Sequence, residues 1–511
     1  MPVQKGDNRN QLQLLNLEEL VSEDSDARLI DLYVETIDPE QLGFEQKGKS
    51  HEGRPALAAK YLIGLYLYSY MNKCRSSRKI EKAAKLNIEL WWLLDNQKPS
   101  YKTIADFRKD NPGGMLNLFA HFRDFCASLD LYGKKLVAID GAKIRAQNSK
   151  KNNYNKKKIE RQLDYSKAKI KQYLSDLDKN DALTDKEQEQ IKSKLSLARK
   201  SVNKYEILDK KLEQSQEDQI SIVDEDARSL MIKRNIVEVG YNVQSSVDAK
   251  NNLIAHIDVT NQQDKESLSN MSIKTKQNLN IADDELTVLA DKGYYSGAEI
   301  SKCHSNGIDT LVAIPKNSHP TKDPDFQVGK FIYDEQKDVL LCPANQTLTT
   351  SGKVLSKKDK KRTVKYKRYS LSKSVCFTCP FKDKCLSKNQ RGGKHIERKL
   401  SQKALDRNKE QVKQRRQEYM MRQAIVEHPF GTIKRSWGYT YTLVKGIEKV
   451  RAEVNLIGLC YNFRRVINIL GEKALMEVLK EKIRLNSSYL ALMLVTTIGK
   501  QQEWKFSKPY Y

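Results

Sequence analysis

Two short apolar runs stand out in the hydrophobic pattern of this chain. Each run is followed by an aspartate and, within two residues, by a glycine. Leu136–Ile139 leads into Asp140 and Gly141, and Leu286–Ala290 leads into Asp291. A continuous apolar run of this length that ends near glycine is typical of a buried strand. Both aspartates are therefore predicted at the carboxyl ends of strands, where a side chain can leave the core and meet a ligand.

Apolar patterns around these runs predict a mixed α/β sheet. Alternation of apolar and polar residues indicates strands at Val239–Val247 and Leu253–Val259, and a further strand is predicted at Leu311–Pro315. Helices are predicted at Ser267–Leu279 and Ser296–Asn306. The order strand, hairpin, helix, strand, helix, strand is typical of an α/β domain.

The most polar part of the chain, 148–218, is predicted to form a helical hairpin after the first strand. Its apolar residues recur at three- and four-residue spacing in two runs, which begin at Ile159 and Ile191 and flank a turn at Asn180–Thr184. This spacing indicates a narrow coiled-coil seam. The basic exterior could contact phosphates, a partner subunit or only solvent, and the sequence leaves these alternatives open.

The region before the first strand, Arg54–Leu131, is predicted to be helical, and partial order at best is expected in the polar segment Met1–Lys49. Ser77 and Ser100 are placed to cap two of the helices. The second of these, Thr103–Lys109, ends in Arg108 and Lys109, which are expected to be exposed, and Lys98–Lys109 would be the groove-facing element of a helix-turn-helix. The region fits a helix-turn-helix that enters a DNA groove, or a bundle that only supports the next domain.

The net charge of the chain indicates which class of molecule it binds. A net charge of +26, from 91 Lys+Arg against 65 Asp+Glu, favours a polyanion, most often nucleic acid. The first residues lack the apolar core of a secretory signal, and Leu62–Met71 and Tyr489–Ile498 are too short for the ~20 residues of a membrane span. A cytoplasmic protein without membrane association is expected.

A third carboxylate, Glu427, follows on a predicted helix, with Lys434 seven residues later and nearly on the same helical face. Three converging carboxylates would repel one another without cations. Hard divalent ions favour such oxygen donors. Two Mg²⁺ ions, for which Mn²⁺ can substitute, would suit in-line phosphoryl transfer.

With these residues in view, the chain resembles bacterial insertion-sequence transposases of the DDE class, which have an RNase H-like catalytic domain and a helical amino-terminal domain. The resemblance covers roughly 40–475. It rests on IDGAKIRA around Asp140, GYNVQSSVDAKNNLI at 240–254, LADKGYYSGAEI around Asp291, VEHPFGTIKRSWGY around Glu427 and GIEKVRAEVNLIGLCYNFRRVINIL at 446–470.

The resemblance implies that Asp140, Asp291 and Glu427 bind the catalytic Mg²⁺ ions and that Lys434 holds a phosphate at a transposon end. Tyr419 and Arg422 resemble the Tyr-x-x-Arg…Glu signature of related transposases, although four residues separate Arg422 from Glu427, one more than the commonest pattern. The predicted DNA-binding residues are of types that contact phosphates or stack on bases. They are Lys292, Tyr294, Tyr295, Arg422, Lys434, Arg435 and Trp437.

The function implied is a nucleoid-associated transposase that binds terminal inverted repeats, cleaves the element ends and joins their 3′-OH groups to target DNA. Both ends must be held together, so a homodimer or a larger synaptic assembly is expected on double-stranded DNA. Two rivals stay open: a nuclease that cuts without joining, and a catalytically decayed DNA-binding protein.

Four cysteines form a separate pattern, namely Cys342, Cys376, Cys379 and Cys385. The Cys-x-x-Cys pair is a chelating knuckle, and four thiols can hold a structural Zn²⁺. The spacing of the other two differs from a paired-knuckle ribbon, so reduced thiols without metal remain the alternative. The other cysteines lie in helical or apolar settings and are expected to be small core residues.

The predicted fold is thus an RNase H-like α/β domain with a mixed sheet, interrupted by a helical hairpin and a cysteine-bearing insert, after an all-α amino-terminal domain. The predicted boundaries are a polar segment at 1–49, the helical domain at 50–132, the catalytic domain at 133–147, 219–317 and 396–471, the hairpin at 148–218, the cysteine-bearing insert at 318–395, and a tail at 472–511.

Overall fold

The computed structural model describes residues 16–45, 56–179, 184–215, 217–233, 236–315, 323–359, 362–387 and 390–486. The chain divides into two compact units. The first unit comprises Met1–Gly133, Asp140–Gln263 and Ala424–Tyr511, and the second unit comprises Lys134–Ile139 and Asp264–Gln423. Part of the predicted tail, 487–511, lies outside the described residues.

The described residues before the first strand of the first unit contain the helices α1 (Leu17–Leu20), α2 (Asp26–Glu35), α3 (Ala59–Met71), α4 (Ser77–Leu86), α5 (Ile88–Leu93), α6 (Tyr101–Asp110) and α7 (Pro112–Ser128). Helix α3 is buried on almost every face, which agrees with its apolar sequence. Ser100 caps α6 as predicted, because its hydroxyl accepts a bond from Thr103 N. Ser77 does not cap α4: it is the first helical residue, and Ser76 occupies the cap position.

The segment Met1–Lys49, for which partial order at best was expected, contains α2, whose face of Leu29, Ile30 and Tyr33 is fully buried. One expectation for this region is wrong. Arg108 is buried rather than exposed, since its guanidinium donates to the hydroxyl of Tyr70 at 2.8 Å. A periodic pattern places Arg108 on a polar face, but it cannot show that a tyrosine on another helix accepts its hydrogen bond.

The α/β part is built on a six-stranded mixed sheet in the order β4-β5-β1-β7-β8, with β6 paired to β5. Its strands are β1 (Leu136–Arg145), β4 (Arg228–Lys233), β5 (Ile236–Asp248), β6 (Ile254–Thr260), β7 (Leu286–Ala290) and β8 (Ile308–Val312). Strands β1, β7 and β8 run parallel, whereas β4, β5 and β6 form an antiparallel meander. The predicted α/β class and mixed sheet are confirmed.

Buried asparagines fasten strands of this sheet to helices. In the first unit, Asn462 of α16 (Ile447–Leu470) bonds both the amide and the carbonyl of Ile254 at the start of β6. In the second unit, Asn408 of α14 (Gln402–Gln414) does the same for Val312 at the end of β8. Both asparagines are completely buried, and each satisfies backbone groups that would otherwise be costly to bury.

The polar segment forms the predicted helical hairpin. Its helices are α8 (Lys156–Lys179) and α9 (Asp185–Ser215), above the paired strands β2 (Asn153–Asn155) and β3 (Gln219–Ser221). The ammonium of Lys156 bonds Asp209 and Glu213, so the start of α8 lies beside the end of α9 and the pair is antiparallel.

The second unit also contains α10 (Leu268–Leu279) and α11 (Gly297–Ser305), close to the predicted helices. Its cysteine-bearing part is a separate antiparallel sheet in the order β13-β12-β11-β10-β9. The elements are β9 (Ile332–Asp334), β10 (Val339–Leu341), β11 (Thr347–Asp359), β12 (Arg362–Ser370), α12 (Lys373–Phe377), α13 (Lys382–Cys385) and β13 (His395–Lys399). Phe331, Leu340, Leu348, Tyr369 and Ile396 form its core.

The carboxyl-terminal helices include α15 (Arg416–Phe430), a π-helical segment at Gly431–Ser436, and α16. Helix α14 ends at Gln414 and α15 begins at Arg416, so the chain is interrupted between them at Arg415. Residues 472–486 are helical. Within the described part of the chain, no helix is long and apolar enough to cross a membrane.

Candidate active site

The parallel pairing of β1 with β7 fixes the positions of two predicted metal ligands along their strands. Within the second unit, Leu136 pairs with Thr287 and Ile139 pairs with Ala290. Asp140 and Asp291 are the residues that directly follow this last pair. Because neighbouring parallel strands run in the same direction, the register places the ends of the two paired runs, Ile139 and Ala290, level with each other in the sheet.

Asp140 differs from its expected setting, since β1 does not end there. The strand continues through Gly141 to Arg145. Pairing explains the difference: Ala146 N donates to Val239 O at 3.0 Å, and a Cβ at Gly240 would lie 2.1 Å from Ile144 O. The close approach of β5 therefore extends β1 beyond the run of apolar residues.

Asp291 follows the prediction closely, because β7 ends at Ala290 and Asp291 caps the next turn, Lys292–Tyr294. Its Oδ1 accepts a hydrogen bond from Gly293 N at 2.6 Å. A Cβ at Gly293 would lie 2.8 Å from that oxygen, so a side chain there would push the carboxylate away. The glycine thus allows its own amide to orient Asp291.

In the first unit, Lys434 is an electrostatic neighbour of Asp140. Its ammonium donates to the carbonyl of Lys143 on β1 at 3.2 Å. Burial lowers the pKa of Lys434, while the Asp140 carboxylate opposes that shift and favours the charged form. The predicted phosphate-binding lysine is therefore held at the strand that carries the first aspartate.

Glu427 lies on the exposed side of α15, whose opposite side buries Ile425, Val426 and Pro429. Proline inside a helix removes a backbone donor and disturbs the helix. The chain then continues as the π-helical segment rather than an α-helix. The expectation that Lys434 shares a helical face with Glu427 assumed α-helical spacing, which the chain does not keep throughout, so that expectation stays a prediction. π-helical turns of this kind often occur at functional sites.

The structure does not present the three carboxylates as a formed metal site. Among the residues it describes, no group of three or more His, Cys, Asp or Glu side chains is arranged to hold a metal ion. Asp140 and Asp291 are half-buried and Glu427 is exposed. Their joint role as metal ligands stays a prediction.

The predicted DNA-contacting residues differ in exposure. Lys292 and Arg435 are exposed, and Arg422, Lys434 and Tyr295 are half-buried; burial raises the pKa of Tyr295. By contrast, Tyr294 is completely buried and Trp437 is only 9% exposed. Neither of these two rings offers a face on which a base could stack.

A buried ion pair that the sequence analysis missed holds the segment that follows Lys434. Arg75 bonds Glu453 at 3.2 Å and the carbonyl of Tyr441 at 2.9 Å, and Glu453 accepts from Leu443 N at 2.8 Å. The guanidinium lies 4.2 Å from the ring centre of Tyr439. The sequence does show a glutamate among the apolar residues of α16, which could have indicated a buried charge. No pattern in the sequence indicates that this glutamate pairs with Arg75.

The same segment is joined to β1. Arg145 N donates to Thr440 O at 3.1 Å, and Thr442 N donates to Arg145 O at 2.8 Å. The stretch that carries Lys434 is thus fixed on one side to the strand of Asp140 and on the other to the Arg75–Glu453 pair.

Comparison with known proteins gives two family matches. A family model described as a transposase DDE domain matches residues 341–467, a range that includes Glu427, Lys434 and the four cysteines of the predicted insert. A second model, described as a transposase domain (DUF772), matches residues 15–110 and so begins within the segment in which partial order at best was expected. No curated protein matches the chain. Together the two matches support an insertion-sequence transposase of the DDE class.

Proposed function

We propose that this transposase binds the terminal inverted repeats of its own insertion sequence, cleaves the element ends and joins the 3′-OH ends to target DNA. The observation that carries the proposal is the match to the DDE domain, supported by the β1–β7 register before Asp140 and Asp291. Asp140, Asp291 and Glu427 would act together as metal ligands on an RNase H-like domain.

The donor set suits hard divalent ions, since three carboxylates provide oxygen ligands. When bound, two Mg²⁺ or Mn²⁺ ions activate the attacking oxygen and stabilise the leaving oxygen in phosphoryl transfer. In the first step water attacks the phosphorus at the element end and releases a 3′-OH. In the second, that 3′-OH attacks a target phosphodiester and releases a target 3′-OH, so that the number of phosphodiester bonds is unchanged.

The residues of the chain position the reacting groups. The amide of Gly293 holds the Asp291 carboxylate in one orientation. Lys434, which its bond to Lys143 O keeps beside β1, is placed to contact a phosphate of the transposon end. Exposed Lys292 and Arg435 supply further phosphate contacts.

The partners follow from charge and from the reaction. A net charge of +26 favours binding to DNA and association with the nucleoid. The amino-terminal helices and the basic helical hairpin are the surfaces proposed for the inverted repeats. Two ends must be joined together, so the active form is proposed to be a homodimer or a larger synaptic complex.

A donor plasmid that carries the element between its flanking DNA provides the test. With Mg²⁺, the purified protein should release the element and join labelled 3′-OH ends to a target plasmid; EDTA should prevent both reactions. Cut ends without joined product would leave a nuclease. Bound DNA without cleavage in Mg²⁺ or Mn²⁺ would leave a DNA-binding protein alone.

Replacing Lys434 by alanine should weaken binding to transposon-end DNA and reduce its dependence on salt. One lost phosphate contact lowers the slope of log affinity against log salt concentration by about 0.9. Fluorescence anisotropy over a series of salt concentrations measures this slope. Lys276→Ala is the control, because that ammonium already bonds Asp283 and the carbonyl of Asn306. An unchanged slope for Lys434→Ala would contradict the phosphate contact.

A further inference from the structure

The four cysteines of the second unit's antiparallel sheet meet at one small cavity. Cys342 follows β10, Cys376 lies on α12, Cys379 follows that helix, and Cys385 ends α13. All four line the same cavity of about 30 Å³. A space of this size is enough for one water or one ion. The cysteines that line it come from different segments of the second unit.

Backbone amides already point at two of the sulfur atoms. Gln346 N lies 3.3 Å from Cys342 Sγ, and Lys394 N lies 3.2 Å from Cys376 Sγ. A hydrogen bond donated to sulfur favours the thiolate, which is the form that binds metals. Two of the four sulfurs therefore already accept backbone hydrogen bonds at the cavity.

The local backbone conformation on both sides of the cavity brings these amides close to the sulfur atoms. The Cys342 loop is closed by a bond from Cys342 N to Gln346 O, with Asn345 in the left-handed conformation at φ 57°. On the other side, a Cβ at Gly393 would lie only 2.0 Å from Leu371 O. Glycine thus permits the close approach that brings Lys394 N to Cys376.

Two lysines supply positive charge at the cavity. Lys382 and Lys394 line it together with the cysteines, and their charges would offset the net negative charge of a metal with four thiolates.

We propose that Cys342, Cys376, Cys379 and Cys385 bind one Zn²⁺ as a structural site that joins β10, α12 and α13. Within the described residues these thiols are not grouped as ready-made ligands, so binding draws the sulfurs inward from the cavity wall. The step is an exchange: four thiols bind Zn²⁺ and release four protons to solvent. Soft thiolate donors in a closed set of four favour zinc.

Metal analysis of the full-length chain tests this site without any assay of transposition. Protein purified without chelator should contain one zinc per chain by mass spectrometry. Cys379→Ser and Cys385→Ser should each lower the content at least about fivefold. Cys74→Ser, which changes a cysteine outside the cavity, should keep the zinc, and so should Asp140→Asn, which separates this site from the catalytic carboxylates.

If a serine variant fails to fold, the reactivity of the thiols in the wild-type chain tests the proposal instead. In the native wild-type chain, the four cavity cysteines should resist alkylation until a strong chelator or a mercurial removes the metal, as peptide mapping can show. Rapid alkylation of all four in protein that contains no zinc would overturn the proposal. Zinc retained in folded Cys379→Ser, or another metal in place of zinc, would overturn it as well.

Discussion

Replacing Asp140 by Asn, Asp291 by Asn or Glu427 by Gln should each reduce DNA cleavage at least about a thousandfold. Each change keeps the shape of the side chain but removes the charge that a divalent ion needs. Metal ions supply several kcal/mol of charge stabilisation in phosphoryl transfer, and about 4 kcal/mol corresponds to a thousandfold in rate. Cleavage of a labelled transposon-end duplex in Mg²⁺ measures the effect.

Binding to the same duplex should persist in all three variants, because the changes remove negative charge and leave the basic residues in place. Glu410→Gln is a matched control, since Glu410 is an exposed carboxylate on α14 that accepts a hydrogen bond from Gln414 on the same helix. It should cleave like the wild type. A triad variant that retains a tenth of the activity would remove that residue from the set of metal ligands.

The sequence predicted most strands of the α/β part because their apolar residues are continuous and local. Strand β8 differs, since it spans Ile308–Val312 whereas Leu311–Pro315 was predicted. The run before Asp291 ends where β7 ends, and the turn after it needs Gly293 for a reason that involves only neighbouring residues. The end of β1 could not be predicted in the same way. It depends on the close approach of Gly240 to Ile144, a contact between residues almost a hundred positions apart.

The helix that carries Glu427 shows a second limit of sequence periodicity. Spacing of seven residues places Lys434 on the face of Glu427 only if the whole stretch is α-helical. Pro429 and the π-helical segment after it change that geometry. The position of Lys434 is defined instead by a hydrogen bond to Lys143, which no local pattern could indicate.

Residue type alone also gave the wrong expectation for the exposure of two aromatic side chains. Aromatic and basic residues near the predicted catalytic positions suggested DNA contacts, yet Tyr294 and Trp437 are buried. An aromatic ring serves equally well in a core or in a nucleic-acid interface. The cysteines are the opposite case, since their spacing left zinc undecided and the fold brings all four to one cavity.

The buried pair of Arg75 and Glu453 gives the largest expected effect on stability. Their side chains are 6% and 1% exposed. Removing one partner of a buried pair leaves an uncompensated charge and typically costs about 3–5 kcal/mol. Arg75→Met and Glu453→Leu should each lower the free energy of unfolding by that amount in urea denaturation followed by circular dichroism.

The double variant separates the charge effect from simple loss of packing. With both charges removed, the desolvation cost of the remaining ion disappears, so the double variant should be more stable than either single variant. It should not fully recover, because Leu443 N loses its acceptor and an unsatisfied buried amide costs about 1–3 kcal/mol. Glu35→Gln breaks the Lys60–Glu35 pair, which is 38% and 50% exposed, and should cost under about 1 kcal/mol. Equal losses for the exposed and buried pairs, or strictly additive losses in the double variant, would show that Arg75 and Glu453 act separately and do not hold the Lys434 segment as a pair.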